Sequence, residues 1–119
     1  MRRKYTDSLI QWKKNSHRHP LLLQGLRQTG KTWLVLDFAE KNYKNILYLN
    51  LETDKPVADY LSVSRPPQDA LLFLETYAGK PLKPSVSLLL LDNIQCVPEL
   101  STLLAAISLD YPQYHIIAI

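Results

Sequence analysis

The chain has little cysteine and little glycine, and no long apolar run. Its 119 residues include one cysteine, Cys96. That excludes an internal disulfide framework and makes a reducing cytoplasm the expected setting. The lone side chain is expected to pack as a small apolar residue. Three glycines against eight prolines exclude a flexible, glycine-rich linker protein. The longest aliphatic runs fall far short of the roughly 20 residues needed to cross a bilayer. The basic opening Arg2-Arg3-Lys4 has no apolar stretch behind it, so neither a membrane span nor a signal peptide is predicted. Repeats and low-complexity segments are also missing.

What is present is a globular composition, 46% apolar and 21% charged. The length fits one domain, large enough to bury roughly two-thirds of the surface that its unfolded chain exposes. The net charge of +3 is unevenly spread: residues 1–31 carry eight Lys/Arg against Asp7 alone, and the remainder six against ten acids. A basic arm of this kind can touch nucleic acid or an acidic partner. The plainer reading, a solvated helix face plus two cations that belong to a loop, is preferred.

That loop is the main landmark. Leu21-Leu22-Leu23 runs into Gly25-Leu26-Arg27-Gln28-Thr29-Gly30-Lys31-Thr32, the Gly-x-x-x-x-Gly-Lys-Thr spacing of a phosphate-binding loop. A triphosphate is best held by converging backbone N–H groups, and Gly25 and Gly30 let the backbone turn and approach where a Cβ would obstruct it. Lys31 brings a compact positive charge to the β- and γ-phosphates, and the Thr32 hydroxyl can ligate Mg2+. The residues from Trp33 onward have helical periodicity, so helix N-terminal N–H groups face the anion. A short buried strand over 21–23, the loop, then a helix over 33–41 is the context in which the motif carries weight.

The remaining elements follow in order. Tyr5, Leu9, Ile10 and Trp12 share one side of a helix predicted over 6–15, and Pro20 ends the turn that follows it. His17 and His19 lack a third ligand at metal spacing and are expected to be exposed turn residues. A strand is predicted over 46–52, covered by helices on both faces. Its acids Glu52 and Asp54 lie near the ligand-binding edge of an open sheet, although turn and cap roles fit them better. Helices are expected over 57–61 and 69–77. Ser87-Leu88-Leu89-Leu90-Leu91-Asp92 is a buried central strand whose tip delivers a carboxylate, about sixty residues after Thr32. In phosphate-loop proteins such a carboxylate joins the Mg2+ shell. A helix over 98–109 and an apolar strand over 115–119 complete the pattern.

These residues together resemble the AAA-type ATP-binding proteins of bacteria and archaea, whose N-terminal ATPase domain precedes a separate C-terminal domain. The resemblance rests on Arg3-x-Tyr5, Leu9-x-x-Trp12, Gly25-x-Arg27-Gln28-x-Gly30-Lys31-Thr32, Tyr48-Leu49-Asn50-x-Glu52 and Leu91-Asp92-x-Ile94-Gln95. It implies a three-layer α/β sandwich with a mainly parallel sheet of about four strands. An accessory helix and turn over 1–19 would precede a partial nucleotide-binding domain over 20–119. ATP, with Mg2+ held by Thr32 and Asp92, would be bound by Gly25, Leu26, Arg27, Gln28, Thr29, Gly30, Lys31, Thr32 and Trp33.

The chain departs from the family pattern in two places. Asn93 stands where the family has a glutamate that polarises the attacking water, so hydrolysis is expected to be weak or absent. Nothing follows the strand ending at Ile119, where the family continues into a γ-phosphate-contacting segment and a further domain. The expectation is an AAA domain incomplete at its C-terminus, with that further domain or another protein as partner. Set against ATP binding are two other readings, a non-catalytic remnant or interaction module and a nucleic-acid-binding protein using the basic arm.

Overall fold

Segments that are aliphatic on both sides of an extended backbone need helices on both faces of their sheet, and the elements are arranged accordingly. The computed structural model describes residues 2–15, 19–23 and 29–119, and of residues 2–6 and 29–31 the backbone alone. In chain order these form α1 (Arg2–Lys14), β1 (Leu21–Leu22), α2 (Thr29–Asn42), β2 (Asn45–Asn50), α3 (Lys55–Leu61) and α4 (Pro67–Ala78). Then come β3 (Ser87–Asp92), a 3-10 turn (Ile94–Cys96), α5 (Leu100–Asp110) and β4 (His115–Ala118).

The strands form one sheet in the order β1-β4-β3-β2, and every pair is parallel. Parallel neighbours need crossover connections. Helix α2 carries the chain from β1 at one edge to β2 at the other, α3 and α4 bring it back to β3, and α5 returns it to β4 beside β1. Alternation along β3 decides what lies where. Leu88 and Leu90 join Ile117 in a cluster with Leu9 of α1 and with Val35, Phe38 and Ala39 of α2. Leu89 and Leu91 face the other way, against Val57, Leu74, Leu100 and Leu104 of α3, α4 and α5. The result is the three-layer α/β sandwich that the sequence implies, with a sheet that is wholly rather than mainly parallel.

Several element ends differ from expectation for local reasons. Helix α1 starts at Arg2 and α2 at Thr29, each four residues early. The strand expected over 46–52 stops at Asn50. There the Asn50 side-chain carbonyl accepts the Glu52 N–H, and the Asp54 carboxylate accepts the Asn50 N–H, both at 2.9 Å. Side chains that bond the nearby backbone in this way compete with the strand ladder. Helix α4 stops at Gly79, whose φ of +70° closes the cap through its N–H to the Glu75 carbonyl. No atom lies within 4 Å of the place a Cβ would take there, so glycine is favoured for its backbone freedom, not for space.

Three expectations of burial or cover fail. Leu22 is 45% exposed, because β1 pairs only on its β4 side among the described residues. Cys96 is exposed, since the 3-10 turn carries it away from the core. Nor is β2 covered on both faces along its length: it is an edge strand, and Tyr48 is 39% exposed.

Candidate functional site

In an all-parallel sheet every strand ends at the same edge, and open α/β sheets bind their ligands there. Asn50 and Asp92 lie opposite each other at that edge, in register at the tips of β2 and β3. The Asp92 carboxylate collects three donors. Its Oδ1 accepts the Asn93 N–H at 2.8 Å. Its Oδ2 accepts the Tyr48 hydroxyl at 2.6 Å and the Thr32 hydroxyl at 3.3 Å. Thr32 comes from the first turns of α2, sixty residues earlier in the chain. Burial first, then the hydrogen bond to Asp92 and the negative charges of Asp92 and Asp54, push the Tyr48 hydroxyl up to about 12. Through the neutral range it is therefore a proton donor to the carboxylate.

The next residue makes a second polar knot. Asn93 has φ 59° and ψ 50°, the left-handed region that asparagine visits more readily than most side chains. Its amide N–H donates to Asn50 Oδ1 at 2.8 Å, and its Oδ1 accepts from Gln95 Nε2 at 3.2 Å. Asn50 thus ties the tips of β2 and β3 together through amides, with no carboxylate at the Asn93 position. Of the two acids after β2, Glu52 is exposed in the turn. Asp54 is the residue before α3 but gives that helix no side-chain cap. Its carboxylate instead holds the Asn50 N–H and accepts the Tyr77 hydroxyl at 3.1 Å. That bond raises the Tyr77 pKa.

The structure brings together Thr32 and Asp92, the two residues that the sequence assigns to a cation. Thr29, Gly30 and Lys31 open α2, where the first backbone N–H groups of a helix have no intrahelical partner. Trp33, two residues after Lys31, is 53% exposed. Gly25, Leu26, Arg27 and Gln28 lie outside the described residues, as does His17. His19 is exposed and its Nδ1 meets the Ser108 hydroxyl. Among the described residues no group of three or more His, Cys, Asp or Glu is placed to hold a metal. A hydroxyl and a carboxylate oxygen are nonetheless hard donors that fit Mg2+, which keeps waters and takes further oxygens from a bound phosphate instead of needing a protein cage.

Two members of the site escaped sequence reasoning, Tyr48 and Asn50. A signal existed. Tyr48, Asn50 and Glu52 alternate with Leu47, Leu49 and Leu51, which sets a polar face against an apolar one. The Tyr48–Leu90 and Asn50–Asp92 register then aims that polar face at the Asp92 tip. Among the described residues no helix is long and apolar enough to cross a membrane.

Comparison with protein families adds one result: the model of a family described as an AAA domain matches residues 17–119. Comparisons with curated proteins and with solved structures gave no significant match.

Proposed function

Because the chain belongs to the AAA domain family, in which nucleotide binding is the common activity, we propose that it binds Mg-ATP on the 25–32 loop and hydrolyses it weakly or not at all. The observation that carries this is the approach of the Thr32 hydroxyl to Asp92 Oδ2 at 3.3 Å. It supports a cation position between the start of α2 and the tip of β3. In this reading the Lys31 ammonium neutralises the outer phosphates, and the N–H groups at the start of α2 receive phosphate oxygens. Thr32 and Asp92 hold Mg2+, which when bound neutralises charge on the β- and γ-oxygens. ATP is preferred to GTP because no guanine-reading Asn-Lys-x-Asp segment occurs. An amide cannot take a proton from water as a carboxylate does, and the Asn93 amide is already engaged by Asn50 and Gln95. Losing a general base lowers a rate by roughly 10²–10⁴.

The test is a thermal melt with and without Mg-ATP, beside Lys31→Ala. Ligand at about 100 times its dissociation constant stabilises a fold by roughly 2.7 kcal/mol. The expected outcome is that gain in the native chain and its loss in the variant. A folded native chain that gains nothing from Mg-ATP would overturn the proposal. Binding that survives Lys31→Ala and falls steeply with salt would point instead to the basic arm and nucleic acid.

A further inference from the structure

The phosphate-loop reading uses Thr32 and Asp92 and leaves Tyr48 without a task, yet Tyr48 makes the shortest of the three contacts to the Asp92 carboxylate. Its place follows from the sheet. Tyr48 pairs with Leu90, so its side chain shares a face with Leu90 and Asp92, the face that α2 covers. The ring leans along β2 towards the ligand edge, about 6.6 Å or two strand residues on, and ends with its hydroxyl on Oδ2. Thr32 reaches that same oxygen. In the Mg-ATP reading a divalent cation or its water shell between Thr32 and Asp92 meets this oxygen too. It cannot share the lone pair to which the phenol proton points.

We propose that Tyr48 is a positioning residue that guards the cation place. It holds Asp92 through its hydroxyl and has to release Oδ2 when a magnesium nucleotide binds. The inference rests on the reading of the site as a Mg-ATP site and adds a regulation to it. Two observations make release feasible. β2 is an edge strand of the sheet among the described residues, and Tyr48 is exposed enough for its ring to swing towards solvent without unpacking the core. While it stays, its short bond to an ionised carboxylate is of the strong, charge-assisted kind. The chain would therefore take up nucleotide alone more readily, relative to magnesium nucleotide, than the Thr32–Asp92 pair by itself implies.

The test compares the native chain with Tyr48→Phe, which keeps the ring and removes the hydroxyl. Affinity is measured by calorimetry for ATP with Mg2+ and for ATP in EDTA. Tyr48→Phe is expected to tighten binding with Mg2+ by about tenfold, since one charge-assisted hydrogen bond no longer has to be broken, and to leave affinity in EDTA unchanged. Magnesium-dependent affinity that is unchanged or weaker in the variant, while the native chain binds, would overturn the guard role and leave the nucleotide site standing. A native chain that binds ATP under neither condition would overturn both. Fluorine NMR of the native chain labelled with 3-fluorotyrosine provides a readout independent of the variant's affinity. The signal missing in Tyr48→Phe should move when Mg-ATP is added and stay in place with ATP in EDTA. A signal that stays in place with bound Mg-ATP would also overturn the proposal.

Discussion

On the α3–α5 side of the sheet the buried cluster is apolar from one end to the other. Leu89, Leu91 and Ile116 meet buried residues of all three helices, and Tyr60 and Phe73 stack face to face at 3.9 Å with Arg65 over the outer ring. On the α1–α2 side the cluster is smaller among the described residues, and towards the carboxyl ends of the strands it gives way to the hydroxyls and carboxylate of Thr32, Tyr48 and Asp92. A cavity of about 300 Å³ opens on the first side, lined by Tyr60, Val63, Arg65 and Leu103 among others. No carboxylate there collects several donors. The second side offers one carboxylate on which three donors converge, and this is the arrangement that a phosphate-bound cation can exploit. One face is apolar in its buried cluster, and the other carries a polar cluster at the margin of its packing.

The largest effect that would break this division is expected from the apolar face. Leu89 has no exposed surface and points into the α3–α5 cluster. Leu89→Ala should lower the free energy of unfolding by about 3 kcal/mol, the transfer loss plus the cavity left behind. Urea denaturation measures it. The folded fraction should bind Mg-ATP as the native chain does. A loss below about 1 kcal/mol would mean that the face closes around the gap and is not close-packed.

Asn93→Glu acts on the other side. A carboxylate there should raise any ATP turnover by about 10², the lower end of what a general base contributes. The gain carries a structural cost. At φ 59° a glutamate lacks the local tolerance of asparagine and loses about 1 kcal/mol. The side-chain carbonyl of Asn50 also loses the Asn93 amide as a donor. Steady-state turnover and a melting curve on the same sample check both halves. Turnover that stays at the Lys31→Ala background would show that the missing carboxylate is not what limits hydrolysis.

How much of this could be read from the sequence depended on how much local competition each segment faces. β3 came out with its observed ends because four consecutive leucines have only one way to be buried on both sides, and the aspartate after them marks the edge of the sheet. The pairing of Thr32 with Asp92 was legible for a related reason, since motif spacing and strand order both carry them to the same edge. The start of α1 was not legible, because Arg2, Arg3 and Lys4 give no apolar period to extend. The end of β2 was hidden by two hydrogen bonds between side chain and backbone, at Asn50 and Asp54. Cys96 was misjudged because residue type predicts burial only on average, and a 3-10 turn at a strand tip faces outward. Tyr48 falls inside the strand predicted over 46–52, where no site role attaches to it. Only the register of β2 on β3 reveals that its hydroxyl meets a carboxylate.

The smallest expected effect asks whether the two sides communicate. A chain of contacts joins them: Phe73 lies against Tyr77, Tyr77 donates to Asp54, Asp54 accepts the Asn50 N–H, and Asn50 accepts the Asn93 amide. Contact continuity is not coupling, which requires an element with two arrangements that both ends can bias. The Tyr77 end of the chain is open to solvent, where a hydroxyl exchanges its partner for water at little loss. Asp54 also keeps the Asn50 N–H when Tyr77 lets go. Tyr77→Phe should therefore leave both the melting curve and the Mg-ATP affinity unchanged within error. A tenfold change in affinity would mean that the aromatic stack sets the position of the β2 tip, and with it the Tyr48 hydroxyl on Asp92. A double-mutant cycle of Tyr77→Phe with Asn50→Ala would then measure the coupling directly, because the two changes would no longer add.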